Sequence, residues 1–266
     1  MDIQTRSPNG SLAIRQDYEG TATITLNRPK NYNALSQALM SELQAHFDDL
    51  KLDETIMVII IKGAGPGFSA GHDLKEMQEN RNELFFRNFF EQCSKLMQSI
   101  IELPQPVIAQ IHGTAAAAGC QLVATCDLAI AADTAKFATP GVNIGLFCST
   151  PMFAVSRKVP RKKMMEMLLL GDLITAKSAL DFGLINQVVK FEKLEKTVLS
   201  YVNRIKNKSP LVLKIGKEAF YNQLEMSLDD AYKYTAEVMT QNMLAQDANE
   251  GINAFIEKRP PDWRGK

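Results

Sequence analysis

The sequence predicts an α/β fold, because runs with the character of β-strands alternate with runs spaced like amphipathic helices. One observation is an uninterrupted apolar run at 56–61 (IMVIII), which is typical of a buried strand. A second is the helical spacing of the apolar residues at 39–50. A third is the recurrence of strand and helix patterns at 107–132. A helical bundle would not contain these strand runs.

A β-hairpin and a helix are expected near the amino-terminal end. The runs 11–18 and 21–26 are joined at Glu19-Gly20, and alternating threonines in the second run favour a half-buried strand. Ser36 stands where it can cap the helix that follows. The apolar residues that share one face of that helix are Leu39, Leu43, Phe47 and Leu50.

The central part repeats a strand, a helix and a strand. We expect a strand at 107–111 (VIAQI), a helix over 118–125 and a second strand at 128–132 (LAIAA). Repeated units of this kind are typical of α/β proteins.

The pattern becomes helical in the last part of the chain. Residues 1–191 are predicted to form the α/β core, and residues 192–266 a carboxyl-terminal helical region. Ser227 and Asp230 fit a capping arrangement at the start of one of these helices.

The amino-acid composition limits the partners and the cellular compartment that we expect. Lysine plus arginine and aspartate plus glutamate number 30 each, so no global field favours nucleic acid or an anionic membrane surface. The four cysteines form no C-x-x-C pair and only three histidines are present, so we expect no metal site. The segment 1–8 lacks the patterns of signal and transit peptides, and no run reaches membrane-spanning length. These features predict a reduced, cytoplasmic protein.

Two turns built from small residues are the chemically most informative feature. The segments 68–74 (FSAGHDL) and 113–121 (GTAAAAGCQ) each follow an apolar run and lead into a predicted helix. Backbone N–H groups at two helix starts can stabilise the negative oxygen of an enolate or a tetrahedral thioester intermediate. Taken alone, the same small residues fit equally well as tight-packing residues at ordinary turns.

The chain resembles the crotonase (enoyl-CoA hydratase/isomerase) superfamily along nearly its whole length. It is most similar to the enoyl-CoA hydratase domain-containing branch. The motifs that carry the resemblance are LNRPK at 26–30, NAL at 33–35, FSAGHD at 68–73, AGCQ at 118–121, CDLAIA at 126–131, FATPG at 137–141 and EGINAFIEKRP at 250–260.

The resemblance implies a spiral of repeated β-β-α units with a carboxyl-terminal helical oligomerisation region. It implies an acyl-CoA substrate, no cofactor beyond the coenzyme A moiety, and a homotrimer or a dimer of trimers. The oxyanion amides of the family map onto Ala70 and Ala118. The positions expected to contact coenzyme A are Arg28, Lys30, Ala34, Ala70, His72, Asp73, Leu74, Phe255 and Lys258.

The departure from the family pattern concerns its two catalytic glutamates. Their positions, three residues after the second amide and just after the proline of the later turn, read Gln121 and Gly141. Neither residue exchanges a proton as a carboxylate does. Gln121 can position a water or a substrate oxygen, while Gly141 either opens space for a bulky acyl group or serves the turn.

The expected function is an acyl-CoA enzyme that stabilises an enolate or oxyanion and hydrates poorly. The reaction classes left open are hydration or isomerisation, which the family name suggests, and decarboxylation or thioester hydrolysis, which do not require both acids. The alternative is a noncatalytic acyl-CoA binding or sensing protein.

Several further side chains have two interpretations each. His72 either acts as an acid or base beside the first turn or points toward a backbone acceptor. Arg28 and Lys30 either meet coenzyme A phosphates or are solvated loop charges. Asp73 either orients the helix start or is an ordinary first-turn carboxylate.

The cysteines and a glycine-rich loop also invite chemical interpretations. Cys120 and Cys148 are read as small buried residues rather than nucleophiles, because no histidine is evidently paired with them. Ser149 is predicted to cap a helix. The loop 63–67 (GAGPG) lacks the ending of a nucleotide-binding loop and is expected to be a flexible entrance to the first turn.

Overall fold

The computed structural model describes residues 4–8 and 10–266, so the first three residues of the amino-terminal segment lie outside it. The strands are β1 (Gln4–Thr5), β2 (Ala13–Tyr18), β3 (Thr21–Leu26), β4 (Val58–Gly63), β5 (Val107–Ile111), β6 (Ala115–Ala116), β7 (Leu128–Ala132), β8 (Lys136–Ala138), β9 (Ile174–Thr175) and β10 (Gln187–Val189). The helices are α1 (Gln37–Leu50), α2 (Leu74–Glu79), α3 (Glu83–Glu102), α4 (Ala118–Thr125), α5 (Ser149–Val155), α6 (Arg161–Leu170), α7 (Ala176–Asp181), α8 (Leu194–Lys206), α9 (Pro210–Gln223), α10 (Leu228–Met243) and α11 (Gln246–Glu257). Short 3₁₀ turns lie at Pro29–Asn31, Pro140–Ile144 and Phe191–Lys193.

The strands form two sheets, which confirms the predicted α/β class. The larger sheet has the order β1-β2-β3-β4-β5-β7-β10, and its strands from β3 onward run parallel. Strands β6, β8 and β9 form the smaller sheet. Parallel neighbours require crossover connections, and the helices between the strands provide them.

The hairpin and the first helix form as predicted. Strands β2 and β3 pair antiparallel through a two-residue turn, in which Glu19 and Gly20 have φ of 45° and 74°. The Ser36 side chain accepts a hydrogen bond from the Leu39 N–H and caps α1. The four apolar residues predicted to share one face of α1 are buried.

Two predicted boundaries are wrong. Strand β4 begins at Val58 rather than at residue 56, because the parallel pairing with β3 starts with Val58 opposite Thr21, while the Met57 N–H donates to the carbonyl of Gly20 in the hairpin turn. Helix α5 has Cys148 at its N-cap, so Ser149 is its first helical residue and not its cap.

Both faces of the larger sheet are covered. In β4, Ile59 and Ile61 belong to the main core, whereas Val58 and Ile60 point to the opposite face. Helix α8 covers that opposite face with Leu194, Val198 and Val202. The division between 1–191 and 192–266 stays a prediction, but α8 packs as part of the sheet layers.

Helices α9, α10 and α11 follow, and they expose much apolar surface. The Ser227 hydroxyl accepts from the Asp230 N–H and caps α10 as predicted. Within the part of the chain that the structure describes, no helix is both long and apolar enough to cross a membrane.

A buried ion pair anchors α9 to α3 and to the segments that lead into β5 and β7. Lys217 donates to the Asp127 carboxylate at 2.7 Å and to the Ile100 and Gln105 carbonyls at 2.9 and 3.0 Å. The Tyr221 hydroxyl donates to the other Asp127 oxygen at 2.9 Å. Burial lowers the pKa of Lys217, against the opposing attraction of Asp127.

Candidate active site

The two small-residue turns lie side by side. Ser69 and Ala115 form a parallel bridge, and the Ala116 N–H donates to the Ser69 carbonyl at 2.9 Å. A Cβ on Gly119 would stand 2.3 Å from that same carbonyl oxygen. Only glycine therefore allows the start of α4 to approach the first turn this closely.

The amide that the first turn leaves unpaired belongs to His72, not to Ala70. The Ala70 N–H donates to the Tyr32 carbonyl at 2.9 Å and is occupied. His72 forms a parallel bridge with Leu35. The Leu35 N–H donates to the Gly71 carbonyl, and the Leu35 carbonyl accepts from the Asp73 N–H. The N–H of His72 itself therefore points away from Leu35, and it has no acceptor among the described residues.

The second unpaired amide is that of Ala118. Ala118 is the first residue of α4, where an N–H has no acceptor within its own helix. It follows Ala117, which has φ of 49°, and the Ala117 N–H donates to the Ala138 carbonyl at 2.9 Å. A positive φ with ψ of −120° is unusual for alanine, and it directs the start of α4.

Gly71 brings the two amides together. It has φ of 94°, and a Cβ placed on it would lie 3.0 Å from the Ala118 nitrogen and 2.8 Å from the Ala117 Cβ. The residue directly before His72 thus lies against the start of α4. Two unpaired N–H groups on adjoining turns, one of them at a helix start, can stabilise a developing oxyanion.

The His72 side chain lies in an apolar cluster provided by α3. Its Nε2 is 3.2 Å from the Cys93 Sγ, and its ring packs edge-on at 5.1 Å from the Phe89 ring and 5.5 Å from the Phe90 ring. Burial lowers the pKa of His72 to about 4 and raises that of Cys93 to about 12. The imidazole is therefore neutral at physiological pH, and it contacts a thiol rather than a backbone acceptor. An acid or base role stays a prediction.

Gln121 and Gly141, which the resemblance places at the positions of the family glutamates, have different surroundings. Gln121 is buried, and its Oε1 has no hydrogen-bonding partner in the described part of the molecule. A Cβ on Gly141 would stand 2.7 Å from the Leu146 carbonyl oxygen and 2.9 Å from the Cys148 Sγ. Gly141 therefore serves its turn, because the chain passes too closely for a side chain, and it does not open space.

Arg28 and Asp73 bind each other. The Arg28 Nη2 is 2.8 Å from Asp73 Oδ2, and its Nη1 donates to the Ala34 carbonyl at 2.6 Å. Asp73 also caps α2 by accepting from the Lys75 N–H. Burial opposes the ionisation of Asp73, but hydrogen bonds from Arg28 and the Glu76 N–H outweigh it and lower the pKa of the carboxyl. Asp73 thus orients the helix start, and Arg28 already has partners.

The remaining predicted coenzyme A contacts fall into two groups. Ala34 and Leu74 lie beside the first turn, and Lys30 is exposed on the 3₁₀ turn before it. Phe255 is 85% exposed on α11, with Lys258 just after it, and α11 packs against α9 and α10. Their roles in binding coenzyme A stay predictions.

The loop and the cysteines have structural contacts. Asn33 donates through Nδ2 to the carbonyls of Ala64 and Gly67, each at 2.8 Å, so the expected flexible loop is tied to the body of the protein. Burial raises the pKa of Cys120 to about 12 and also raises that of Cys148. Over residues 4–8 and 10–266, no group of three potential ligands is placed to hold a metal ion.

Four residues of this region escaped the sequence interpretation. The Tyr32 carbonyl accepts a hydrogen bond from the Ala70 N–H, and Phe89 and Cys93 contact the His72 ring. Thr139 is fully buried with a hydroxyl that has no partner among the residues described. Only Thr139 carries a local signal, since a threonine before the proline of the later turn adjoins a predicted site position.

The layered fold and the two adjoining turns define the crotonase class of α/β proteins. A family model described as enoyl-CoA hydratase/isomerase matches residues 16–266. The chain belongs to this family, which confirms the resemblance drawn from its motifs.

Individual relatives agree with this assignment. The chain is 46% identical to human enoyl-CoA hydratase domain-containing protein 3, mitochondrial, over 92% of this chain and 81% of that protein. It is 34% identical to a probable enoyl-CoA hydratase of Bacillus subtilis (strain 168), over 96% of this chain and 98% of that protein. The crystal structure of an enoyl-CoA hydratase from Mycobacterium smegmatis matches with a TM-score of 0.93 at 43% identity, over 95% of this chain and 98% of that chain.

The expected cytoplasmic location is wrong. Relatives in human, mouse and Xenopus laevis are named mitochondrial, which points to mitochondria instead. Composition and cysteine usage do not distinguish these compartments, because neither an equal charge balance nor unpaired thiols is specific to the cytoplasm. The homotrimer or dimer of trimers stays a prediction.

Proposed function

We propose that this protein binds an acyl-CoA thioester with its carbonyl oxygen between the N–H groups of His72 and Ala118. The observation that carries the proposal is that both amides are unpaired while Gly71 lies directly against the Ala118 nitrogen. Polarising the carbonyl there lowers the free energy of an enolate or a tetrahedral intermediate. Pure binding does not require such stabilisation, which favours an enzyme over a noncatalytic sensor.

The proposed enzyme is a poor hydratase. Hydration needs a group that activates water and a group that delivers a proton to the α-carbon. Gln121 is a neutral amide, and Gly141 has no room for a side chain. Reactions that need the oxyanion but not both acids, such as decarboxylation or thioester hydrolysis, fit the site better.

An acyl-CoA is expected to raise the melting temperature of the protein. At a concentration about 100-fold above Kd, binding to the native state should raise it by about 5–10 °C. Differential scanning fluorimetry and calorimetry with butyryl-CoA measure the effect, with butyrate and inorganic phosphate as control ligands. Mass spectrometry of a panel of CoA esters incubated with the protein then separates an enzyme from a noncatalytic binder. Absence of both a thermal shift and calorimetric binding for every acyl-CoA contradicts the proposed function.

Crotonyl-CoA should be hydrated slowly by the wild-type protein and faster by Gln121→Glu. One general acid or base is worth about a hundred- to ten-thousandfold, so a gain of about a hundredfold is expected. Gly141→Glu should add nothing and lower stability, because its Cβ would stand 2.7 Å from a backbone oxygen. The isosteric Gln121→Met variant is the control without a carboxyl group. Rapid wild-type hydration that survives Gln121→Met would show that another residue supplies the acid.

A further inference from the structure

A strongly basic segment joins α5 to α6. Residues 157–163 (RKVPRKK) contain five cations and no acid, although acidic and basic residues balance over the whole chain. Two of these cations have acidic partners: Arg157 is 3.4 Å from Glu225, and Lys163 is 2.8 Å from Glu166. The other three have no carboxylate partner among the residues that the structure describes. The segment is therefore a local surplus of positive charge on a chain that is neutral overall.

The cations at the start of α6 stand against the helix dipole. Its first three residues, Arg161, Lys162 and Lys163, are all exposed, and its first turn contains no acid. Cations are unfavourable at this end of a helix, because its unpaired N–H groups give it a partial positive charge. Pro160 precedes them and provides no capping side chain. An anionic group bound here would offset this repulsion, so the arrangement indicates an anionic partner.

The exposed face of α6 becomes apolar beyond these cations. Arg161, Met165 and Leu169 are spaced by four residues, so they lie along one face of the helix. Met165 is 45% exposed and Leu169 is 58% exposed, whereas the opposite face of α6 is buried. On α5, Phe153 is 57% exposed, and the Arg157 guanidinium stacks 3.7 Å from the centroid of its ring. Unpaired cations and exposed apolar side chains thus occur together on this surface.

We propose that this surface, which consists of residues 157–163 and the exposed face of α6, docks on an anionic phospholipid membrane. Phosphate groups at the membrane surface match the cations, and the acyl layer just below them matches Met165 and Leu169. A nucleic acid also offers phosphates, but it has no apolar layer to receive these two side chains. Each unpaired cation near an anionic membrane is worth about fivefold in binding, so three of them give about a hundredfold.

The test is co-sedimentation of the full chain with lipid vesicles. One set of vesicles is pure phosphatidylcholine, and the other contains about 30 mol% phosphatidylglycerol in phosphatidylcholine. At about 0.05 M salt, the wild-type protein should bind the anionic vesicles about a hundredfold more tightly than the neutral ones. At about 0.5 M salt this preference should fall below about fivefold, because the Debye length is then only about 4 Å.

Three variants locate the surface. Arg161→Gln with Lys162→Gln should reduce the preference for anionic vesicles about twentyfold or more. Leu169→Gln keeps every charge and should weaken binding about fivefold at both salt concentrations, because apolar burial is not screened. The matched control is Lys193→Gln with Lys196→Gln, which removes two exposed cations from a stretch where acids alternate with lysines (FEKLEK at 191–196). This control should keep the preference within about twofold, and circular dichroism confirms that each variant is folded.

Equal binding of the wild-type protein to both kinds of vesicle overturns the membrane surface, and so does a preference that survives Arg161→Gln with Lys162→Gln. Binding that Leu169→Gln does not weaken also overturns it, because charge alone suits any polyanion, including nucleic acid or an acidic protein. Light scattering decides whether a second copy of the chain occupies this face instead. An unchanged mass for Leu169→Gln supports the membrane surface, and a lower mass than that of the wild-type protein overturns it.

Discussion

Replacing Ala118 with proline is expected to lower the turnover of any oxyanion-dependent reaction about a hundred- to a thousandfold. Proline has no backbone N–H, so the variant removes one of the two proposed donors and no side-chain chemistry. Ala118 is the first residue of α4, the helical position that proline tolerates best. The measurement is kcat/KM for the CoA ester that the mass-spectrometric panel identifies as substrate.

The controls separate loss of the donor from loss of the fold. Ala118→Gly keeps the N–H and should lose far less activity than the proline variant. Circular dichroism and thermal unfolding report whether α4 still forms next to Ala117, whose φ of 49° already restricts the chain. A folded Ala118→Pro protein with full activity would show that the Ala118 N–H at the start of α4 is not an oxyanion donor.

The elements that the sequence predicts well are those determined by neighbours along the chain. The β2–β3 hairpin follows from a two-residue turn, and α1 follows from the Ser36 cap and a helical spacing of apolar residues. In each case the contacts that decide the structure lie within a few residues. The wrong start of β4 has a longer-range cause, since its first residue is determined by pairing with β3, where Val58 lies opposite Thr21.

The candidate site depends even more on contacts between residues that are distant in the sequence. Small residues at 68–74 predict a turn with free amides but not which amide is free. That depends on the Tyr32 carbonyl, 38 residues before Ala70, which occupies the Ala70 N–H and leaves that of His72. The environment of the His72 ring likewise depends on α3, a helix whose aromatic residues the motifs do not include.

The steric restriction at Gly141 leads us to expect that a glutamate introduced there would not supply an acid. The sequence alone allows Gly141 either to open space for an acyl group or to serve its turn. In the structure, the Leu146 N–H donates to the Gly141 carbonyl at 2.9 Å and the Gly141 N–H donates to the Cys148 Sγ at 3.2 Å. The turn is closed around the glycine, and a Cβ there would stand 2.7 Å from the Leu146 carbonyl oxygen and 2.9 Å from the Cys148 Sγ.

The ion pair between Lys217 and Asp127 should contribute strongly to the stability of the protein. Asp127→Ala is expected to lower the free energy of unfolding by about 3–5 kcal/mol, because it leaves the Lys217 ammonium buried without its counter-charge. The side chains of Lys217 and Asp127 are only 7% and 17% exposed, so water cannot replace the lost carboxylate easily. The Tyr221 hydroxyl and the Val107 N–H lose the same acceptor.

The effect is measured by urea denaturation and by calorimetry, where a fall in melting temperature of about 6–20 °C is expected. The control is the double variant Asp127→Ala with Lys217→Met, which removes the unpaired charge and should recover part of the loss. Limited proteolysis should cut the single variant first between α8 and α9, since Lys217 and Tyr221 hold α9 to Asp127. A loss below about 1 kcal/mol, the range of exposed ion pairs, would mean that α9 is held by its apolar contacts instead.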